Sequence, residues 1–192
     1  MATFDIAVAV FERVEELDFV GPYEVLAAWA RFSERSITVR TVGDGAVRCA
    51  HGLQVTPEVT WAELGRPDLL VMPGGGVGEV AADQSYLARL NAFAEGGSLM
   101  TSVCNGAIIY AAAGLLSGRR ATTHWSAVES LKAYPDIEVD EQARFVDEGT
   151  VVTAAGISAG IDMALHLVAR FESVEMAQQV RRYLQYDPQP PV

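Results

Sequence analysis

Leu99-Met100-Thr101-Ser102-Val103-Cys104-Asn105-Gly106-Ala107 decides how this chain folds, because a short apolar run stops abruptly there and a small-residue helical pattern begins. Such a junction reads as a buried strand turning sharply into a helix, the unit of α/β domains with parallel sheets. A thiol at the turn is aimed by the bend, and the free N–H groups of the following helix favour its anionic form. That is nucleophile geometry. A buried structural cysteine fits the same spacing, since free Cys is among the most buried residue types.

Working outward, the same alternation recurs along the chain. Asp5–Phe11 reads as a buried strand, and Gly21-Pro22 as the start of a helix that buries Val25, Leu26, Trp29 and Phe32, with Pro22 in its first turn. Ile37–Val42 and Asp68–Met72 are the next strands. Asp83 is placed to cap a helix burying Tyr86, Leu87, Leu90 and Phe93, which Gly96-Gly97 closes. Past Cys104, an alanine-rich helix is expected from Ala107 to Leu116. Ser126-Ala127-Val128-Glu129 has capping-box spacing for a helix through Leu131. Glu148-Gly149 is a hairpin turn between Arg144–Asp147 and Thr150–Ala154. Helices over about 158–171 and 174–185 precede the proline-rich Asp187–Pro191. The pattern predicts an α/β sandwich with a largely parallel central sheet flanked by helices, in one domain over residues 1–192.

The chain has 192 residues, enough for a core that needs no disulfide or structural metal, and its two cysteines form no framework of bridges. It shows neither a secretion signal nor an apolar run of membrane-spanning length, so a soluble cytoplasmic protein is expected. The net charge of −11 disfavours nucleic acid and anionic lipid as partners. A small molecule is the expected ligand.

Several groups compete for the chemistry. Pro73-Gly74-Gly75-Gly76-Val77-Gly78 follows a strand, where glycines let backbone N–H groups approach a ligand. It matches neither a dinucleotide fingerprint nor a phosphate loop. Gly156-Ile157-Ser158-Ala159-Gly160 resembles a serine nucleophile elbow, but the later Asp162 and His166 lie on the same helix as Ser158 and are carried away from it. A packing turn is the expected reading. Cys49 and His51 lack further ligands at metal spacing, so no metal site is expected. His124 and His166 read as a hydrogen-bonded and a packing histidine. Glu15 and Glu16 read as solvated, whereas Asp18, between Leu17 and Phe19, should be pulled from water. Its pKa would then rise, and it could share a proton with a nearby thiol.

Taken together, these motifs resemble the ThiJ/PfpI superfamily of class I glutamine amidotransferase-like proteins. They are Leu17-Asp18-Phe19 with Gly21-Pro22, Pro73-Gly74-Gly75-Gly76, Ser102-Val103-Cys104-Asn105-Gly106, Ala112–Leu116, Ala121-Thr122-Thr123-His124-Trp125 and Ala155–Asp162. Within the superfamily the chain is most similar to the isonitrile hydratase branch. The resemblance implies a flavodoxin-like sandwich, commonly dimeric, with Cys104 as nucleophile and Asp18 as the acid touching it. It also implies an oxyanion site from the Gly75 backbone and the N–H of Asn105. Branch members often carry a hydroxyl residue where this chain has Asn105. Protease-like members place histidine directly after the cysteine, which this chain does not. His124 aligns with a histidine near the nucleophile of glyoxalase-like members and is the candidate accessory group. Sensor halves of AraC-type regulators share the Thr-Thr-His-Trp pattern, but no DNA-binding domain is expected here.

The implied activity is cofactor-independent hydration of an isonitrile, in a largely apolar pocket. A small-carbonyl enzyme of the glyoxalase type and a cysteine oxidation sensor are the rivals.

Overall fold

The computed structural model describes residues 3–189; Pro190 and Pro191 of the proline-rich end lie outside them. In chain order the elements are β1 (Phe4–Ala9), α1 (Glu16–Phe32), β2 (Ile37–Val42), β3 (Val47–Arg48), β4 (Gln54–Val55) and β5 (Leu69–Met72). They continue with α2 (Gly78–Ala82), α3 (Gln84–Glu95), β6 (Leu99–Val103), α4 (Gly106–Ala112), β7 (Arg120–Ala121) and, after a 3-10 turn at Trp125–Ala127, α5 (Val128–Lys132). Last come β8 (Glu138–Val139), β9 (Phe145–Asp147), β10 (Val151–Ala154), α6 (Ala159–Phe171) and α7 (Val174–Tyr183).

Six strands form the central sheet in the order β2-β1-β5-β6-β10-β9. All neighbours are parallel except the β9–β10 hairpin, which turns at Gly149, φ +82°. Helices α1, α6 and α7 pack on one another, as do α2 to α5, so the sheet is sandwiched in the flavodoxin-like manner. A parallel strand covered on both faces has no solvent side. Accordingly β1, β5 and β6 are nearly continuous apolar runs, with Ala7, Val8, Leu69, Leu70, Val71 and Val103 fully buried. Trp29 of α1 is buried against Phe171, its Nε1 donating to Glu172 Oε2 at 2.5 Å. Truncating a side chain of that size costs about 3–5 kcal/mol.

The topology also places the site. From β1 the chain goes first to one side of the sheet, at β2, and then to the other, at β5. In open α/β sheets the crevice beyond the carboxyl ends of strands at such a reversal is where ligands bind. Pairing of Val71 with Thr101, Met72 with Ser102 and Ala154 with Val103 brings the ends of β5, β6 and β10 level. The loops after β1, β5, β6 and β10 therefore converge.

Three local expectations are corrected. Helix α1 begins at Glu16 and not at Gly21, so Pro22 lies inside it and removes one helical hydrogen bond. Gly21 and Pro22 instead make the surface that meets Ile161 and Gly160 of α6. Helix α4 stops at Ala112, short of Leu116, because Gly114 takes φ +76°. Ser126 caps nothing: it lies inside the 3-10 turn, whose cap is His124, Nδ1 accepting from the Ser126 N–H at 3.3 Å, and α5 itself starts after Ala127 with no side-chain cap. Asp83 caps α3 as expected, accepting from Ser85 and Tyr86.

Candidate active site

Cys104 occupies the bend between β6 and α4 with φ +59°, a left-handed conformation that costs a non-glycine residue about 1–3 kcal/mol. Surrounding bonds hold it there. The Cys104 N–H is shared between the carbonyls of Ala154 and Ala155, each at 3.1 Å, and its carbonyl accepts from Thr123 Oγ1 at 2.9 Å. The residue is 8% exposed.

Two backbone N–H groups, those of Asn105 and Ile157, act on the thiol to favour its anion. They do not prevail. Burial, then the negative charge of Asp18 and its hydrogen bond, push the thiol up to about 12. The N–H groups favour the anion as the sequence suggests, but burial and the neighbouring acid outweigh them and hold the thiol above its ordinary range.

Asp18 sits in the first turn of α1 and is wholly buried. Its Oδ2 accepts from the Gly74 N–H at 2.9 Å, while Oδ1 finds no hydrogen-bond partner among the described residues. Burial pushes this carboxyl up to about 7, against the pull of the Gly74 N–H and the thiol, with Glu15 adding a further rise. The structure thus brings Asp18 and Cys104 together as a thiol–carboxyl pair. The carboxyl, not the sulfur, changes protonation near neutral pH.

Gly75 and Asn105 also meet, though not as the resemblance implied. The Gly75 N–H donates to Asn105 Oδ1 at 2.8 Å, and Asn105 Nδ2 donates back to the Gly75 carbonyl at 3.0 Å. Gly75 can accept this two-point contact because it adopts φ +117°. Its N–H is consequently occupied and is not a free oxyanion donor. The Asn105 N–H acts on the sulfur.

His124 packs against Gly156, where a Cβ would strike its ring. Its Nδ1 is engaged by Ser126 Oγ at 2.7 Å. It is joined to the elbow through its neighbour Thr123 rather than through contact with Asp18. Trp125 beside it is 81% exposed.

The serine decoy is disassembled. Ser158 Oγ accepts from Arg144 at 2.9 Å, Asp162 pairs with the same guanidinium at 2.5 Å, and His166 turns away to Asp147 at 2.7 Å. What the sequence reading missed in this segment is Ile157. It takes φ +47° at the bend after β10, and its N–H favours the Cys104 anion. A β-branched residue at positive φ goes against propensity, and the only signal was that this strand-to-helix junction mirrors the one at Cys104.

Glu15 and Glu16 are half-buried, not solvated. Glu15 pairs with His51 at 3.2 Å, and Glu16 Oε1 accepts from the His51 N–H at 2.9 Å. Burial would raise the Glu16 carboxyl, but backbone N–H groups outweigh it and hold it below the ordinary value. Two clefts adjoin the site. One of about 360 Å³ is lined by Glu12, Arg13 and the Gly75–Glu79 loop; the other, about 250 Å³ and mostly apolar, runs along Leu17, Val20 and Ile161. Cys104 lines neither, so the apolar pocket expected at the thiol is not one of these two.

Sequence and fold also have counterparts among known proteins. The chain is 37% identical to an isonitrile hydratase of Pseudomonas putida over 97% of its length and 80% of that protein's. It is 31% identical to the transcriptional regulator CdhR of Pseudomonas aeruginosa over 85% of this chain but 49% of the regulator. A ThiJ/PfpI family structure from Pseudomonas syringae superposes with a TM-score of 0.90 at 31% identity, covering all of this chain and 78% of the other. The family model described as DJ-1/PfpI matches residues 5–170, every element from β1 to α6 that builds the site. The chain belongs to the DJ-1/PfpI family.

Proposed function

We propose that this protein hydrates isonitriles to N-substituted formamides, using Cys104 as nucleophile and Asp18 as the proton carrier. The pairing of a protonated thiol with a carboxyl that titrates near neutrality carries the reading, and the 37% identity to an isonitrile hydratase supports it. Ionised Asp18 takes the thiol proton as sulfur attacks the terminal isonitrile carbon. The carboxylic acid then gives that proton to the same carbon, leaving a thioimidate on Cys104. Water adds across the C=N bond, its oxygen joining carbon and a proton joining nitrogen. Collapse of that adduct breaks the C–S bond, releases the formamide and returns a proton to sulfur.

The low exposure of the thiol suits such chemistry, because proton exchange with bulk water competes with transfer to carbon. Since Asp18 acts first as a base, turnover should rise with pH through about 7. The same reading carries a single domain and a homodimer of cytoplasmic location acting on a small molecule; light scattering checks the oligomer. Turnover of a simple alkyl isonitrile and of methylglyoxal by the purified protein, side by side, tests the proposal. N-alkylformamide is expected. Hydroxy acid from methylglyoxal without formamide would overturn it in favour of the small-carbonyl reading, and neither product, with stoichiometric peroxide oxidation of Cys104, would favour a sensor.

A further inference from the structure

We infer that the Asn105 side chain is a specificity-determining group that closes the oxyanion position of this elbow and so turns the site away from carbonyl substrates. The inference rests on the proposed hydration only for the substrate that is retained. In a strand-to-helix thiol elbow, a carbonyl substrate places its oxygen where the N–H after the nucleophile and an N–H of the adjacent glycine loop both reach it. The loop after β5 abuts the elbow through Asn105, the donor that the resemblance implies is Gly75, and Asn105 Oδ1 already takes that N–H at 2.8 Å. The second bond, Nδ2 to the Gly75 carbonyl at 3.0 Å, fixes the amide in the orientation that does this. Asn105 is partly buried and bridges the loop after β5 to the start of α4.

The two chemistries need different partners. Attack of Cys104 on a carbonyl carbon moves the C=O electron pair onto oxygen, and that anion must be held by donors. Attack on an isonitrile carbon develops charge on the carbon itself, which is discharged by the proton from Asp18. No oxygen carries charge in that step. Blocking the Gly75 N–H therefore penalises the first reaction and leaves the second intact, a specificity built by withholding a contact from the wrong substrate.

Acylation by p-nitrophenyl acetate is the test. Sulfur attacks the ester carbon, the thiol proton passes to Asp18, and collapse of the oxyanion expels p-nitrophenolate and leaves an acetyl thioester on Cys104. Asn105→Ala and Asn105→Ser, whose side chains are too short to reach Gly75, should raise the acylation rate on the order of 10- to 100-fold, the scale of one oxyanion donor. In both variants the ratio of acylation to alkyl isonitrile hydration should rise by the same order, and Cys104→Ala should abolish both reactions. In the unaltered protein the Gly75 amide should exchange slowly with deuterium by NMR, and faster in either variant. Acylation no faster in both variants, or rapid Gly75 exchange in the unaltered protein, overturns the inference even where a variant folds poorly. Faster acylation in a protein that never forms formamide upholds the closed oxyanion position and discards isonitrile as the substrate.

Discussion

Replacing Asp18 with Asn should make the protein more stable at alkaline pH while removing its activity. A carboxyl at 3.8 in an exposed chain and about 7 in the fold binds its proton more tightly when folded. The folded state therefore gains from protonation: the contribution is complete below the unfolded value and is lost as pH rises through the folded one. The gap corresponds to roughly 4 kcal/mol between those limits. The substituted amide stays neutral throughout, and its oxygen can still accept from the Gly74 N–H, so the variant avoids the cost of a buried anion. Urea unfolding of both proteins at about pH 4.5 and about pH 8.5 should show stabilities within about 1 kcal/mol at the lower pH. At the higher pH the variant should lead by a few kcal/mol. Cys104 titrates only well above this window, so the difference isolates Asp18. A gap of the same size at both pH values, or a variant less stable at the higher one, would refute the assignment of a buried carboxyl destabilised by its own charge.

Other outcomes follow from the same geometry. Asp18→Asn should speed alkylation of Cys104 by iodoacetamide at mildly alkaline pH, since burial remains but the charge and hydrogen bond that raise the thiol are gone; an unchanged rate in peptide mapping would contradict this. In the unaltered protein Cys104 should not outpace Cys49 by a wide margin, because burial raises both thiols. Ser158→Ala should leave formamide production within about two-fold, as it removes only a contact to Arg144; an inactive variant that still folds would revive the serine. His124→Ala should keep much of the activity, measured as kcat, because its ring is engaged by Ser126 and packs on Gly156. A collapse equal to that of Asp18→Asn would give the histidine a place in the chemistry.

The sheet was legible because its strands are fully covered: runs such as Leu69–Met72 and Leu99–Val103 have no polar face to confuse the period. Asp83 was legible as a cap because its side chain bonds within its own turn. Helix starts were less so. Pro22 looks like a first-turn residue, and only its packing on α6 explains why the helix runs through it from Glu16. At the site, Cys104 and Asp18 could be named from sequence, but the direction of the thiol's pKa could not. It depends on how deeply the pair is buried together, which spacing does not encode. The bonds from Asn105 to Gly75 and the action of the Ile157 N–H on the sulfur were likewise out of reach, since each joins loops separated by many residues and depends on a positive φ.

Whether Cys104 hydrates isonitriles through a covalent intermediate can be read from intact-mass spectrometry of the protein mixed with an alkyl isonitrile in ¹⁸O-labelled water. A transient adduct on Cys104 is expected, carrying the whole mass of the isonitrile, since only a proton and sulfur add to it. The adduct should decay to N-alkylformamide containing one ¹⁸O, and Cys104→Ala should form neither. Labelled formamide made equally well by Cys104→Ala, or no formamide at all from the unaltered protein, would rule out covalent hydration at this thiol.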